Sequence, residues 1–175
     1  IGVGNDLNPF AWVLTAAKVE PPTVADVRTR LAALRLGWAT TEAERDIEAE
    51  RLQQHEVPAE VRICFGPHTL AQLLYLRSAL DLEDPTDRFI AATTTGILHG
   101  KSESYLSPVM PNTFSMAPRY VREFVAKTGF VAPERDVFSR IERKALRLFR
   151  GGAPSRRGVA LLGDARDVGE RAGAA

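Results

Sequence analysis

Two aspartates of this 175-residue chain each follow a short apolar segment, and their positions suit the binding of a nucleoside. Asp6 follows residues 1–5, and Asp164 follows residues 158–163. If both segments are buried strands of an open α/β sheet, both acids lie at the edge where such sheets bind ligands. We expect the carboxylate of Asp6 to accept hydrogen bonds from both hydroxyls of a ribose, as in a nicotinamide cofactor or in S-adenosylmethionine. We expect Asp164 to accept from an adenine amino group, with the N–H of Ala165 donating to a ring nitrogen.

A simpler interpretation of both aspartates is also open. Asp6 fits an ordinary turn before a helix, and Asp164 fits a helix cap before Ala165 and Arg166. Two strand-end acids in one short chain favour a binding site more than either acid alone. Both interpretations therefore stand at this point.

The elements that must position these acids are inferred from capping residues and apolar periodicity. Asn8 is a good N-cap and Pro9 suits the first helical position, so a helix from Pro9 to about Lys18 follows the first strand. A helical block of roughly 130 residues then separates this strand–helix unit from the second strand. The pattern predicts an α/β fold, in which two strands alone make no stable sheet. Further helices are predicted at residues 23–36, 40–55, 67–80, 85–99, 118–128 and 133–150, with Gly37, Gly100 and Gly129 after three of them and an irregular segment at 102–116.

Composition excludes several classes of protein. Hydrophobic residues make up 45% and charged residues 26% of the chain, which excludes a disordered or collagen-like protein. No apolar run approaches the roughly 20 residues that cross a bilayer, and no leader is expected. Cys64 is the single cysteine, so no internal disulfide forms and a reducing, cytoplasmic setting is expected. The chain begins with Ile1 inside an apolar stretch, so we expect a segment before it.

The sequence predicts neither a metal site nor a hydrolytic nucleophile. His55, His68 and His99 are spread apart, without the spacing of metal ligands. Ser107 lacks the glycine context of a nucleophile elbow. Cys64 is expected to be a buried core thiol.

Positive charge is concentrated in the last third of the chain. The net charge is −5 between Glu42 and Glu60 and +7 between Arg119 and Arg157, an asymmetry that indicates a polyanion-facing end. Within the second range, four cations recur at i, i+3, i+4 and i+7 of a predicted helix and form one stripe. Such a stripe neutralises DNA phosphates without reading base sequence, although a solvated helix face is the alternative. The four cations are Arg140, Arg143, Lys144 and Arg147.

The irregular segment that begins at Lys101 is a second candidate DNA contact. Tyr105 and Phe114 suit stacking on, or wedging beside, an extruded base, and Asn112 suits a hydrogen bond to a base edge. The alternative is that the aromatic side chains anchor the segment to the core. Both interpretations stay open at this point.

Three parts of the chain together resemble a known family. The run Ile-Gly-Val-Gly-Asn-Asp-Leu-Asn-Pro-Phe-Ala at residues 1–11 resembles the second motif of the site-specific DNA amino-methyltransferases. These enzymes methylate N6 of adenine or N4 of cytosine from S-adenosylmethionine. Gly-Asp-Ala-Arg at residues 163–166 is similar to their third motif. Gly-Ile-Leu-His-Gly-Lys at 96–101, Tyr-Leu-Ser at 105–107 and Met-Pro-Asn-Thr-Phe-Ser-Met at 110–116 are similar to an insert of one subgroup.

The resemblance implies a partial Rossmann-like methyltransferase sheet with a large, mainly helical insert. Residues 1–22 and 158–175 would belong to the cofactor-binding core, and residues 23–157 to the insert, which would face double-stranded DNA. S-adenosylmethionine is the implied cofactor, and the implied reaction moves its methyl group to an exocyclic amine of a flipped base. The implied cofactor-binding residues are Asp6, Leu7, Asn8, Asp164 and Ala165.

Two motifs of that family are not found in this sequence. The glycine-rich loop before the Asp6 strand is absent, and no Ser/Asp/Asn-Pro-Pro-aromatic run, which grips the target amine, is present. We therefore expect no catalytic residue and no activity from this chain alone, with the missing motifs in the same or a partner chain. Two other functions stay open. One is a non-catalytic helical nucleic-acid-binding module around residues 119–157, and the other is part of a nicotinamide-binding enzyme, because Asp6 suits that ribose as well.

Overall fold

The computed structural model describes residues 2–40, 57–100, 102–108, 118–152 and 158–169. Across these residues the protein is mostly helical, with two small sheets of two parallel strands each, which confirms the predicted α/β class at a coarse level. The helices are α1 (Pro9–Val19), α2 (Val24–Thr40), α3 (Ala59–Arg62), α4 (Pro67–Ala79), α5 (Pro85–Thr95), α6 (Pro118–Thr128) and α7 (Val137–Leu148). The strands are β1 (Val3–Asp6), β2 (His99–Gly100), β3 (Ser107–Pro108) and β4 (Val159–Leu162), and two 3-10 helices span Phe149–Gly151 and Ala165–Asp167.

The chain forms two compact units from interleaved segments. The first unit contains the described residues within Ile1–Ala32, Leu80–Thr95 and Glu142–Ala175. The second contains those within Ala33–Ala79 and Gly96–Ile141. Both strands predicted from the sequence belong to the first unit, whereas the domain boundaries predicted after residues 22 and 157 stay a prediction.

The first unit is built around the parallel pair of β1 and β4. Helix α1 covers one face of this pair, because a Cβ added to Gly4 would lie 3.2 Å from Cγ2 of Thr15. The indole N–H of Trp12 donates to the carbonyl of Ala160 at 3.2 Å and so joins α1 to β4. Asn8 caps α1 by accepting, at 2.9 Å, from the N–H two residues ahead. The predicted strand–turn–helix unit is confirmed together with its cap. The expectation that both strands are buried is wrong, because no residue of β1 or β4 is buried and Val3 is 46% exposed.

Helix α5 packs on α1, and arginine contacts join α5 to α1 and to α2. The guanidinium carbon of Arg88 lies 5.1 Å from the ring centroid of Trp12, and its Nη1 donates to the carbonyl of Leu82 at 3.0 Å. Arg30 donates to both carboxylate oxygens of Asp87, at 2.7 and 2.8 Å. Asp87 is only 2% exposed, so this two-pronged pair satisfies a buried charge.

The second unit joins the start of α4 to the segment before α7 through polar groups. The carboxylate of Glu134 accepts from the N–H of His68 at 3.3 Å and of Thr69 at 3.1 Å, which satisfies two unpaired donors of α4. Gly66 makes room for this carboxylate, since an added Cβ would lie 2.5 Å from Cδ of Glu134. The buried hydroxyl of Thr69 accepts from the N–H of Arg135 at 2.6 Å and donates to its carbonyl at 2.9 Å.

Helix α2 continues through Gly37, so the predicted end at this residue is wrong. The hydroxyl of Tyr75 donates to the carbonyl of Leu34 at 3.0 Å. A Cβ on residue 37 would lie 2.7 Å from that hydroxyl oxygen. The glycine therefore lets the hydroxyl of Tyr75 approach the helix backbone closely, and it does not end the helix.

Helix α5 ends at Thr95, before its predicted end, and that part of the prediction is wrong. The next residues are drawn into a short parallel pairing, in which the carbonyls of Ile97 and Leu98 accept from the N–H groups of Leu106 and Ser107, both at 2.8 Å. The second partner opens β3, inside a segment that was expected to be irregular. Hydrogen bonds between residues nine positions apart thus replace the i to i+4 hydrogen bonds that a longer helix would have formed.

Helix α7 begins at Val137 and not at Pro133, so its predicted start is also wrong. The side chain of Asp136 accepts from the N–H of Ser139 at 2.8 Å, as an N-cap does. The proline instead lies in the irregular segment that carries Glu134 to α4. A capping aspartate therefore marks the start of this helix.

Helix α6 has its predicted bounds, and the glycine predicted after it is confirmed. Gly129 has a φ of 63°, and its N–H donates to the carbonyl of Val125 at 2.9 Å. The helix predicted at residues 40–55 lies outside the described residues from residue 41 on. Residues 109–116 of the predicted irregular segment lie outside them as well. Within the part of the chain that the structure describes, no helix combines the length and apolar character needed to cross a membrane.

Candidate functional site

The two strand-end aspartates lie at the same edge of one sheet. Because β1 and β4 are parallel and in register, with Asp6 opposite Leu162, both strands end at this edge. The pairing extends one residue further, where the N–H of Gly163 donates to the carbonyl of Asp6 at 2.9 Å. Asp164 is the next residue. The chain therefore brings together two acids that are 158 positions apart in sequence.

Asp6 holds the turn into α1 with one carboxylate oxygen. Its Oδ1 accepts from the N–H of Asn8 at 2.8 Å, and Asn8 in turn caps the helix. The turn interpretation from the sequence is therefore correct, but it uses half of the carboxylate. Asp6 is exposed, and its Oδ2 has no hydrogen-bond partner among the residues that the structure describes. This oxygen is available to accept a ligand hydroxyl.

Asp164 is more strongly engaged than Asp6. It caps the 3-10 helix by accepting from the N–H of Arg166 at 2.9 Å, and the Nε of Arg166 lies 3.0 Å from each of its oxygens. This contact raises the pKa of Arg166. An adenine amino group at Asp164 would share the carboxylate with Arg166, a residue to which the sequence analysis gave no role. Ala165 opens the 3-10 helix, so its N–H is one of the donors that such a helix leaves unpaired.

Apolar side chains flank the acids at this edge. Leu7 is 68% exposed, Phe10 is 51% exposed and Leu162 is 41% exposed. Exposed side chains of this size next to carboxylates provide surface for the apolar faces of a nucleoside, while the acids pair with its polar groups. Of the three, only Leu7 was predicted from the sequence to bind the cofactor.

Three of the four predicted cations of helix α7 form no ion pair with a residue that the structure describes. Arg143 and Arg147 are exposed and Lys144 is half-buried, and none has an acidic partner among the described residues. Arg140 is different, because its guanidinium donates to the backbone carbonyl of Glu103. Arg150, which the prediction did not include, adds a further exposed cation one helical turn beyond Arg147.

The segment around Tyr105 is held in place by a buried arginine. Arg135 is 8% exposed, and its Nη1 donates to the carbonyls of Glu103 at 2.8 Å and Tyr105 at 2.5 Å. The ring of Tyr105 lies on Gly100, where an added Cβ would overlap the ring. The anchoring alternative therefore describes this ring, and a role in stacking on a base stays a prediction.

Three of the predicted DNA contacts lie outside the described residues. They are Lys101, Asn112 and Phe114.

Cys64 and His99 of the second unit are packing groups. Cys64 is 1% exposed, its thiol donates to the carbonyl of Glu60 at 3.2 Å, and burial raises its pKa. The ring of His99 lies 5.3 Å from that of Phe65, and partial desolvation lowers its pKa. In the described ranges no three His, Cys, Asp or Glu side chains come together in a way that would hold a metal ion.

Comparisons of the chain with protein-family models, with curated proteins and with solved structures found no match. The described residues themselves form an α/β chain with two acids at one sheet edge and a helix with unpaired exposed arginines.

Proposed function

We propose that this chain binds S-adenosylmethionine at the edge formed by β1 and β4 and serves a DNA amino-methyltransferase. The observation that carries the proposal is the parallel, in-register pairing of the two strands, because it puts Asp6 and Asp164 at one edge. The ribose and the base of one nucleoside lie close together, so two acids that recognise them must share a site. In this proposal the two strands belong to a Rossmann-like sheet.

The residues present fit an adenosyl group. The Oδ2 of Asp6, which has no partner among the described residues, accepts a hydrogen bond from a ribose hydroxyl. The N–H of Asn8 donates to the other oxygen and keeps the carboxylate in place. Asp164 accepts from the adenine amino group, while the N–H of Ala165 donates to a ring nitrogen. Leu7 offers its exposed side chain to the apolar face of the nucleoside. When bound, S-adenosylmethionine supplies a methyl group activated on a sulfonium.

A polyanion such as double-stranded DNA is the proposed second ligand. Arg143 and Arg147 are exposed and one helical turn apart, and like charges at that spacing repel each other. Binding of phosphates removes this repulsion and releases counterions. Lys144 adds a third positive charge to the same helix.

The proposal assigns binding and no catalytic step to these residues. The glycine-rich loop and the Pro-Pro-aromatic motif of the amino-methyltransferases are not in the 175-residue sequence. The groups that grip the target amine therefore have no counterpart among the residues named here. Asp6, Asp164 and the basic helix hold and orient ligands.

A calorimetric titration of the chain with S-adenosylmethionine, S-adenosylhomocysteine and NAD tests the cofactor. We expect both adenosyl ligands to bind and NAD to bind about tenfold more weakly or not at all. NAD also carries an adenosine, but its anionic pyrophosphate would be repelled by the carboxylates of Asp6 and Asp164. Tighter binding of NAD would favour the nicotinamide-binding alternative. Absence of binding by all three ligands would contradict the proposed cofactor site.

Fluorescence anisotropy with a labelled DNA duplex over a series of salt concentrations tests the polyanion. If Arg147 neutralises one phosphate, Arg147→Gln lowers the slope of log affinity against log salt by about 0.9. Arg77→Gln is a matched control, because Arg77 is also exposed on a helix and is placed in no site. Equal slopes for the two variants would remove α7 from the DNA interface.

A further inference from the structure

Asn5 ties the two strand ends together through its side chain. Its Nδ2 donates to the carbonyl of Gly163 at 3.0 Å, across 158 residues of sequence. The N–H of the same glycine donates to the carbonyl of Asp6 at 2.9 Å. Gly163 is therefore held on both sides by β1, and it is the residue directly before Asp164.

The amide of Asn5 has one orientation and an unpaired acceptor. Reversing the amide would place its oxygen against the carbonyl oxygen of Gly163, so the nitrogen must face that carbonyl. The Oδ1 is then buried without a hydrogen-bond partner among the described residues. A buried acceptor without a partner costs free energy, which an apolar side chain at this position would avoid.

The hydrogen bond from Asn5 to Gly163 therefore offsets the free-energy cost of burying the unpaired Oδ1. Main-chain pairing alone fixes the N–H side of Gly163 through Asp6. The carbonyl of Gly163 belongs to the peptide group that joins Gly163 to Asp164, and the side chain of Asn5 holds this carbonyl in place. With both sides fixed, the direction in which the carboxylate of Asp164 leaves the sheet is set by β1.

We propose that Asn5 is a positioning residue that sets recognition of the adenine base by orienting Asp164. The inference rests on the proposed binding of an adenosyl ligand at this edge. Asn5 itself lies one residue before Asp6, and its side chain projects to the opposite face of the strand, so it acts through the Gly163 peptide and not by touching the ligand.

The test compares S-adenosylhomocysteine with its inosine analogue, which carries a carbonyl in place of the 6-amino group. The wild-type chain is expected to prefer the adenosine form by about tenfold, because Asp164 can accept from the amino group and not from a carbonyl. Asn5→Ala is expected to reduce this preference to less than about threefold, while the affinity for the inosine analogue changes less than about twofold. Asn5→Asp, which keeps the size of the side chain but loses the donor, is expected to do the same.

The matched control is Trp12→Phe. Trp12 also donates a side-chain hydrogen bond to a carbonyl of the strand that leads to Asp164, at Ala160, but away from the edge. This variant is expected to melt at a lower temperature and to keep the full preference for adenosine. A purely structural role of Asn5 would make the three variants alike in both readouts.

The outcomes separate the inference from the function on which it rests. If the wild-type chain prefers the adenosine form and both Asn5 variants keep that preference, the positioning role is wrong and the cofactor site stands. If the wild-type chain binds neither compound, the cofactor site and the positioning role are both wrong. Loss of preference in the Asn5 variants, but not in Trp12→Phe, supports the assignment.

Discussion

At the scale of single residues, the two aspartates each do a structural task and leave capacity for a ligand to a different degree. One oxygen of the exposed Asp6 accepts from the N–H of Asn8, and the other has no hydrogen-bond partner among the described residues. Asp164 shares both oxygens with Arg166. A ligand that approaches this edge therefore meets a free acceptor at Asp6 and a competing cation at Asp164.

Asp6→Asn separates the structural task from the binding task. The amide oxygen still accepts from the N–H of Asn8, so the melting temperature is expected to change by less than about 3 °C. The charge and the second acceptor are lost, so the affinity for S-adenosylhomocysteine is expected to fall about tenfold to hundredfold in calorimetry.

Asp84→Asn is the matched control for that change. Asp84 accepts from the N–H of Thr86 at 2.8 Å, the same two-residue turn at the start of another helix of the first unit. It lies in no proposed site, so its variant is expected to keep full affinity. Unchanged binding by Asp6→Asn would contradict the ribose role, whatever the control does.

Ionised Asp136 is expected to stabilise the second unit, and this contribution is expected to depend on pH. Burial raises the pKa of its carboxyl, but hydrogen bonds from Ser139 and Gln72 and the charge of Arg35 hold the net pKa below its ordinary value. Since the pKa is lower in the folded than in the unfolded chain, the stabilisation is present above the unfolded pKa of about 3.9 and is lost as the pH falls through the folded value.

The Asp136→Asn variant tests whether ionised Asp136 stabilises the fold. It keeps an oxygen for the N–H of Ser139 but carries no charge toward Arg35. The wild-type chain is expected to melt at a higher temperature than the variant at pH 7. The gap is expected to narrow as the pH falls through about 3.9 and to close below the folded pKa of Asp136. A gap that stays constant over that range would show that ionisation of Asp136 contributes nothing.

Single residues show where sequence reasoning succeeds and where it stops. Asp6, Asn8 and Asp164 were predictable, because each acts on backbone within a few positions. Asn5 was not, because its partner Gly163 comes from the far end of the chain. No spacing in the sequence reports such a contact.

At the scale of elements, local signals placed α1 and α6 well. Pro9 after Asn8 starts α1, and Gly129 at positive φ follows α6. The errors arose where tertiary contacts override a local signal. Gly37 serves Tyr75 inside α2, and Asp136, not the earlier proline, starts α7.

Gly37→Ala tests that account of α2. Replacing an exposed glycine in a helix interior by alanine normally stabilises a protein by about 1 kcal/mol. Here the new Cβ would lie 2.7 Å from the hydroxyl oxygen of Tyr75, so we expect a loss of about 1–3 kcal/mol in urea unfolding instead.

Tyr75→Phe supplies the partner change for a double-mutant cycle. Without the hydroxyl, the nearest ring atom to the new Cβ is Cζ at 3.8 Å, an ordinary contact. Tyr75→Phe alone loses the bond to Leu34 and costs about 1 kcal/mol. Gly37→Ala is expected to cost less in the Tyr75→Phe background than in the wild type, and equal costs would contradict the close-approach argument.

At the scale of the whole molecule, the first unit depends on a pairing between two distant ends of the sequence. Each strand was predicted from its apolar run and the acid behind it, but their parallel register appears only in the structure. The hydrogen bonds that shorten α5 and open β3 join residues only nine positions apart, but they too appear only in the structure. Sequence reasoning therefore yielded the class and the candidate acids, and the structure supplied their shared edge.

The central claim is that the ends of β1 and β4 bind one adenosyl ligand together. The most direct test is an NMR titration of the 175-residue chain with S-adenosylhomocysteine, followed through assigned backbone amides. We expect the amides of Leu7, Asn8, Ala165 and Arg166 to shift together with a single dissociation constant. Shifts at only one of the two strand ends, or at neither, would contradict it.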